Sequence, residues 1–260
     1  MAVKVGWVQL QEDPRLSNMG GVAMSPYMMF DPERYKRIAE VKHGRWRFTT
    51  CPAFIQFNRN TFVLRSPVDM GLSVREGNSP GLWDMKVLPG HENDLNGEAL
   101  HRLVEFTGDP GGRVDWDKPH LQMRLSYVFF ADEPITIQQL PAFEDYNEDS
   151  SYPGITVPGE FDIHAWHRQL NWAFEWWDTS KPLVIKRGDP LTYAKFIVHR
   201  DPTERVDLVK LKMTEQIYNA IHRTNNTPSF IKNTFKLFEK ARLMRPKKFV
   251  TEANIWKPGD

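Results

Sequence analysis

Asp162, His164 and His167 stand close enough along the chain to share a divalent metal. In an extended segment, side chains two residues apart point the same way, which would place Asp162 beside His164 with His167 just beyond. One carboxylate and two neutral imidazoles suit Fe(II), Mn(II) or Zn(II). Such a two-His-one-carboxylate set would make the chain a metal-dependent enzyme. The order differs from that of the usual double-stranded β-helix oxygenases, which carry His-x-Asp and a distant His. The one His-x-Asp here, His199-Arg-Asp201, lies at a predicted strand end, and His222, which follows it, lies in a predicted helix. The competing reading of Asp162, His164 and His167 is a turn with rim histidines.

Around these residues runs an aromatic stretch, 161–177, that holds four of the nine tryptophans. Trp166 and Trp177 are its candidate binding residues, anchors for a protein partner or for self-association. The alternative for any tryptophan is core packing. Cys51 precedes Pro52 at the start of a short predicted helix, but a thiol nucleophile also needs a base and an orienting group, and no local signature supplies them. His91-Glu-Asn-Asp reads as a polar loop. No P-loop, GxGxxG after a strand, GxSxG elbow or HExxH occurs, and Gly108-Asp-Pro-Gly-Gly is a turn with no Lys-Ser/Thr after it.

The chain has 260 residues, 34 Lys and Arg against 33 Asp and Glu, and a net charge of +1. This balance argues against a nucleic-acid partner. Residues 201–260 are mildly basic, with twelve Lys or Arg against seven Asp or Glu. Lys232, Lys236 and Lys240 fall along one helix face and, with Arg242, Arg245, Lys247 and Lys248, could meet phosphates or form a solvated face. A single cysteine excludes an intrachain disulfide and a cysteine-built metal site. It points to a reducing cytoplasm. No apolar run is long enough to cross a bilayer, and no signal-peptide pattern opens the sequence.

The elements that must position these residues are strands. Nineteen prolines and sixteen glycines spread along the chain suit short strands between turns. The cleanest period-2 pattern is Leu121-Gln-Met-Arg-Leu-Ser-Tyr-Val-Phe129, and Leu170, Trp172, Phe174 and Trp176 alternate in the same way. Asp31-Pro-Glu-Arg-Tyr carries the signature of a helix start, predicting a helix that stops near Gly44. Further helices are expected at 97–106, 207–222 and 228–243. The fold expected is mainly β: a sandwich or jelly-roll/β-roll body over 1–200, with two C-terminal α-helices in 201–260 as an extension packed on it. Leu121, Met123, Leu125, Tyr127, Phe129, Trp172, Phe174, Phe196 and Val198 are its expected core.

Two stretches also carry a resemblance. Cys51-Pro-Ala-Phe and Asn60-Thr-Phe-Val-Leu-Arg-Ser-Pro-Val-Asp69, followed by Pro158-Gly-Glu-Phe-Asp-Ile163, Trp172-Ala-Phe-Glu-Trp176 and Ile185-Lys-Arg-Gly-Asp-Pro-Leu-Thr-Tyr193, resemble an uncharacterised family associated with marine and cyanobacterial phages and some bacteria. The resemblance spans roughly residues 45–200 and implies a phage or phage-like origin and a β-rich fold. Lys186-Arg-Gly-Asp-Pro-Leu-Thr-Tyr also resembles the closing turn and strand of the deoxyuridine-triphosphatase β-roll. That family's Gly-Tyr-Asp substrate motif does not occur here, and no glycine-rich arm closes the chain.

The function expected from this is that of a phage-type accessory protein, structural or host-interacting, that binds protein partners. The alternative is a metal-dependent or nucleotide-processing enzyme on a β-roll.

Overall fold

The computed structural model describes residues 2–17, 27–35, 51–78, 83–91, 100, 102–106, 118–143, 152–225 and 234–259. The alternating run near residue 121 folds as two consecutive strands, β7 (His120–Leu125) and β8 (Tyr127–Ala131), which part at the buried Ser126 and enter different sheets. β7 pairs with β12 (Leu170–Trp176) so that Leu125, Met123 and Leu121 face Leu170, Trp172 and Phe174. The intervening Arg124, Gln122 and His120 oppose Asn171, Ala173 and Glu175 on the other face. Period-2 alternation thus becomes one buried and one polar face. β10 (Gly154–Thr156) and β6 (Val104–Phe106) complete this sheet in the order β10-β12-β7-β6. Residues 104–106, expected at the end of a helix, are therefore strand, because they pair with β7.

β8 is buried along its whole length. It pairs antiparallel with β1 (Val3–Gln9), which pairs on its other side, in parallel, with β15 (Val206–Lys210). Tyr127 and Phe129 enter the main core, whereas Val128 and Phe130 face the opposite way, into a second cluster with Leu211, Ile217, Ile221 and Phe249. A strand covered on both faces reads as a continuous apolar run. Residues 207–210 were expected to open a helix, and their backbone is instead paired to a strand some two hundred positions earlier. The sheet therefore runs past the boundary expected at residue 200.

A five-stranded sheet has the order β11-β9-β14-β3-β2, built from β11 (Gly159–Asp162), β9 (Ile135–Pro141), β14 (Pro190–Val198), β3 (Thr61–Arg65) and β2 (Glu33–Arg34). Here the helix signature at Asp31 is overridden. Glu33 and Arg34 pair with Val63 and Phe62, and Arg34 also reaches the Arg59 carbonyl and Asp207. Residues 36–44, the rest of that expected helix, lie outside the described residues. A fourth sheet, β13-β4-β5, uses β13 (Leu183–Ile185), β4 (Met70–Glu76) and β5 (Trp83–Val87).

The two motifs that carry the resemblance meet in space. Ser66 N–H donates to the Asp189 carbonyl at 2.8 Å, and Gly188 N–H donates to the Ser66 carbonyl at 2.9 Å. Arg187 N–H donates to Asp69 Oδ1 at 2.8 Å. Gly188, at φ +89°, supplies the left-handed residue this turn requires.

The protein is mainly β among the described residues, and the nine side chains expected in its core are all buried. Helices are α1 (Pro14–Ser17), α2 (Pro52–Asn58), α3 (Glu215–Asn225) and α4 (Thr234–Met244). α3 turns Ile217 and Ile221 onto Val128 and Phe130. No helix among the described residues is long and apolar enough to cross a membrane.

Candidate functional site

β11 ends at Asp162, and residues 163–165 turn rather than extend. The turn is local carboxylate chemistry: Asp162 Oδ1 accepts the His164 N–H at 2.8 Å, and its carbonyl accepts the Trp166 N–H at 3.1 Å. Because the backbone turns here, the i, i+2 rule that would align Asp162 with His164 does not apply. Asp162 Oδ2 accepts from the Arg242 guanidinium of α4 at 2.8 Å. Both carboxylate oxygens are thus engaged.

Beyond the turn the chain goes under the C-terminal helices. Trp166 and His167 are buried, and the Thr224 hydroxyl of α3 donates to the His167 carbonyl. The His167 ring stands edge-on to Phe130 and Phe249, with centroids 4.8 and 4.7 Å away, and neither ring nitrogen has a hydrogen-bond partner. Burial, and then the charge of Arg245, lower its pKa to about 3, so the imidazole is neutral near pH 7. His164 is shifted down in the same way, first by burial and then by Arg245.

Arg245 follows α4 and is nearly covered. It donates from Nη2 to the Ala131 carbonyl at 2.9 Å, and its guanidinium carbon lies 5.4 Å from the Phe249 ring centroid. Its Nε has no partner, and Asp132 Oδ1 is 4.0 Å from Nη2. Asp132 itself accepts the Phe249 and Val250 amides. Burial lowers the Arg245 pKa, against which Asp132 and Asp162 act.

These pieces frame a cleft of about 480 Å³ between the 162–169 segment, α3 and α4. Trp166, His167 and Met244 line it together with three cations, Arg223, Lys240 and Arg245. No Asp or Glu among the described residues lines it.

The expected metal set does not assemble. No group of three or more His, Cys, Asp or Glu that could hold a metal ion occurs among the described residues, so Asp162, His164 and His167 are not such a group. The turn, the two engaged oxygens of Asp162 and the aromatic packing of His167 are the reasons. His199 Nε2 meets Thr136 Oγ1 at 2.7 Å, Asp201 takes the amide and hydroxyl of Thr203, and His222 is exposed on α3. Cys51 is exposed at the start of α2. His91 is described, whereas 92–94 and Lys232 lie outside the described residues.

The two candidate tryptophans separate. Trp166 lines the cleft. Trp177, 54% exposed, follows β12, donating to Glu175 Oε1 at 2.6 Å with Lys118 Nζ 5.7 Å from its ring. Sequence reasoning singled out Lys240 and Arg245 only as part of a basic helix face, and missed Arg223. Their convergence depends on how α3 and α4 pack, which no local spacing encodes. No family model and no curated protein matches the chain.

Proposed function

We propose that the protein is an accessory binding module of phage type and that its working surface is the cleft beneath α3 and α4, which takes an anionic group. Its scaffold reads as a sandwich or jelly-roll-like body, which the four sheets around a shared core support. The observation that carries the proposal is the set Arg223, Lys240 and Arg245 around one cleft without a lining carboxylate among the described residues. Burial costs the Arg245 guanidinium much of its hydration, and an anion bound in the cleft it lines would offset that cost.

The test is thermal unfolding of the full chain across a panel of small phosphates, sulfonates and carboxylates with their neutral analogues. A ligand present at a hundred times its Kd adds about 2.7 kcal/mol to the folded state. At least one anion should do so, and Lys240→Glu should remove the gain. If no anion shifts unfolding, or if the variant responds like the parent, the reading fails.

A second reading places a protein partner at the same rim. Leu243 is 87% exposed beside Met244, which lines the cleft. Light scattering after size exclusion, with capture from host lysate by the parent and by Leu243→Glu, tests it. A monomer that captures nothing counts against it.

A further inference from the structure

We infer that the occupant of this cleft is a small phosphate monoester with a flat or apolar body. The inference rests on reading the cleft as an anion site and adds the chemical class of the ligand. A volume of about 480 Å³ is that of a small-molecule site.

Charge sets the first half of the ligand. Among the described residues, Lys240 has no hydrogen-bond or ion-pair partner. The Arg245 side chain is only 10% exposed, its Nε is unpartnered, and its nearest carboxylate oxygen in an ion pair lies at 4.0 Å. Of the two acids nearby, Asp162 pairs with Arg242, and Asp132, which also accepts the Phe249 and Val250 amides, faces Arg245 only at 4.0 Å, which leaves Lys240 as the charge with no acid opposite it among the described residues. Positive charge at this end of the cleft therefore exceeds the negative charge facing it. A phosphoryl group supplies nearly two charges and three acceptor oxygens, and guanidinium N–H groups match its geometry. A single carboxylate would supply half the charge.

The other half follows from the remaining wall. Trp166, Ala220, Leu237 and Met244 offer carbon surface to the same space. His167 also lines the cleft and adds no fourth charge at neutral pH. A ligand with a charged head and a flat or apolar body satisfies both walls, whereas inorganic phosphate satisfies only one.

The test is titration calorimetry of the full chain with adenosine 5′-monophosphate, ribose 5-phosphate, inorganic phosphate, adenosine and phenylacetate. Adenosine 5′-monophosphate should bind about tenfold or more tightly than ribose 5-phosphate, inorganic phosphate and adenosine. Ribose 5-phosphate binding as tightly as the nucleotide would overturn the flat or apolar body. Lys240→Glu, at an exposed position, should weaken nucleotide binding about tenfold or more without lowering the unfolding midpoint of the free protein. Esters that bind no better than adenosine, or that ignore Lys240→Glu, overturn the inference. If phenylacetate binds in a Lys240-dependent way and the esters do not, the phosphate class is wrong and the anion site stands. If nothing binds, both fall.

Discussion

Arg242 donates to Asp162 Oδ2 at 2.8 Å, joining α4 to the end of β11 across 80 positions of sequence. The contact fixes one wall of the cleft. Asp162 holds the turn through one oxygen and the helix through the other. Arg245, three residues beyond Arg242, then lies against Ala131 and Phe249.

Arg242→Ala should barely change global stability, because the pair is solvent-facing, with side chains 59% and 31% exposed. Exposed pairs contribute about 0–1 kcal/mol. Ligand affinity should fall by up to the same amount, since the helix that carries Lys240 loses its tether. Urea unfolding and calorimetry on the same variant compare the two. An unchanged affinity contradicts the tether.

Acid should destabilise the protein through His167. Its ordinary pKa of 6.5 is lowered to about 3, first by burial, then by Arg245 and His164. Between these values the unfolded chain binds the proton and the folded protein does not, so stability falls as pH drops from 6.5 towards 3 and levels off below. His164 shifts in the same direction. His167→Phe should flatten the dependence. It should keep neutral-pH stability within about 1 kcal/mol, because two unpartnered buried nitrogens are removed from a site between Phe130 and Phe249. Urea midpoints from pH 4 to 8 decide it, and an equally steep slope in the variant counts against this account.

Trp172 should be among the most costly residues to truncate. It is buried, stacks on Phe174 at 5.2 Å, and donates from Nε1 to Thr156 Oγ1 at 2.9 Å. Trp172→Ala should cost about 3–5 kcal/mol. Thr156→Val, which leaves the indole N–H unpaired, should cost about 1–3 kcal/mol. Denaturant unfolding measures both.

Two glycines should fail for different reasons. A Cβ on Gly154 would lie 1.9 Å from the Glu175 carbonyl oxygen, so Gly154→Ala must push β10 off β12. Amide exchange should rise at Ile155 and Thr156. Gly188 sits at φ +89°, and a Cβ there would meet only Phe30 Cζ at an unstrained 4.0 Å, so Gly188→Ala should cost only the left-handed backbone penalty of about 1–2 kcal/mol.

What the sequence revealed tracks how local the cause is. β7 and β12 were legible because one face of each is buried and the other polar, so alternation appears in the letters. β15 was not, since Val206–Lys210 is a strand only by lying beside Val3–Gln9. β2 was misread because Asp31-Pro32 is a sound local helix signal that edge pairing with β3 overrides. The histidines drew notice through type and spacing, yet Asp162 commits its carboxylate to the His164 amide and Arg242, and His167 packs between Phe130 and Phe249. Of the three cations of the cleft, Lys240 and Arg245 are close in sequence, and only packing brings Arg223 to the same cleft.

The most direct measurement of the central claim is hydrogen–deuterium exchange of the full chain, alone and with saturating amounts of whichever panel anion binds. The account predicts new protection confined to 163–169, 215–225 and 240–246, absent in Lys240→Glu. Protection elsewhere on the protein, or none at all, would contradict it.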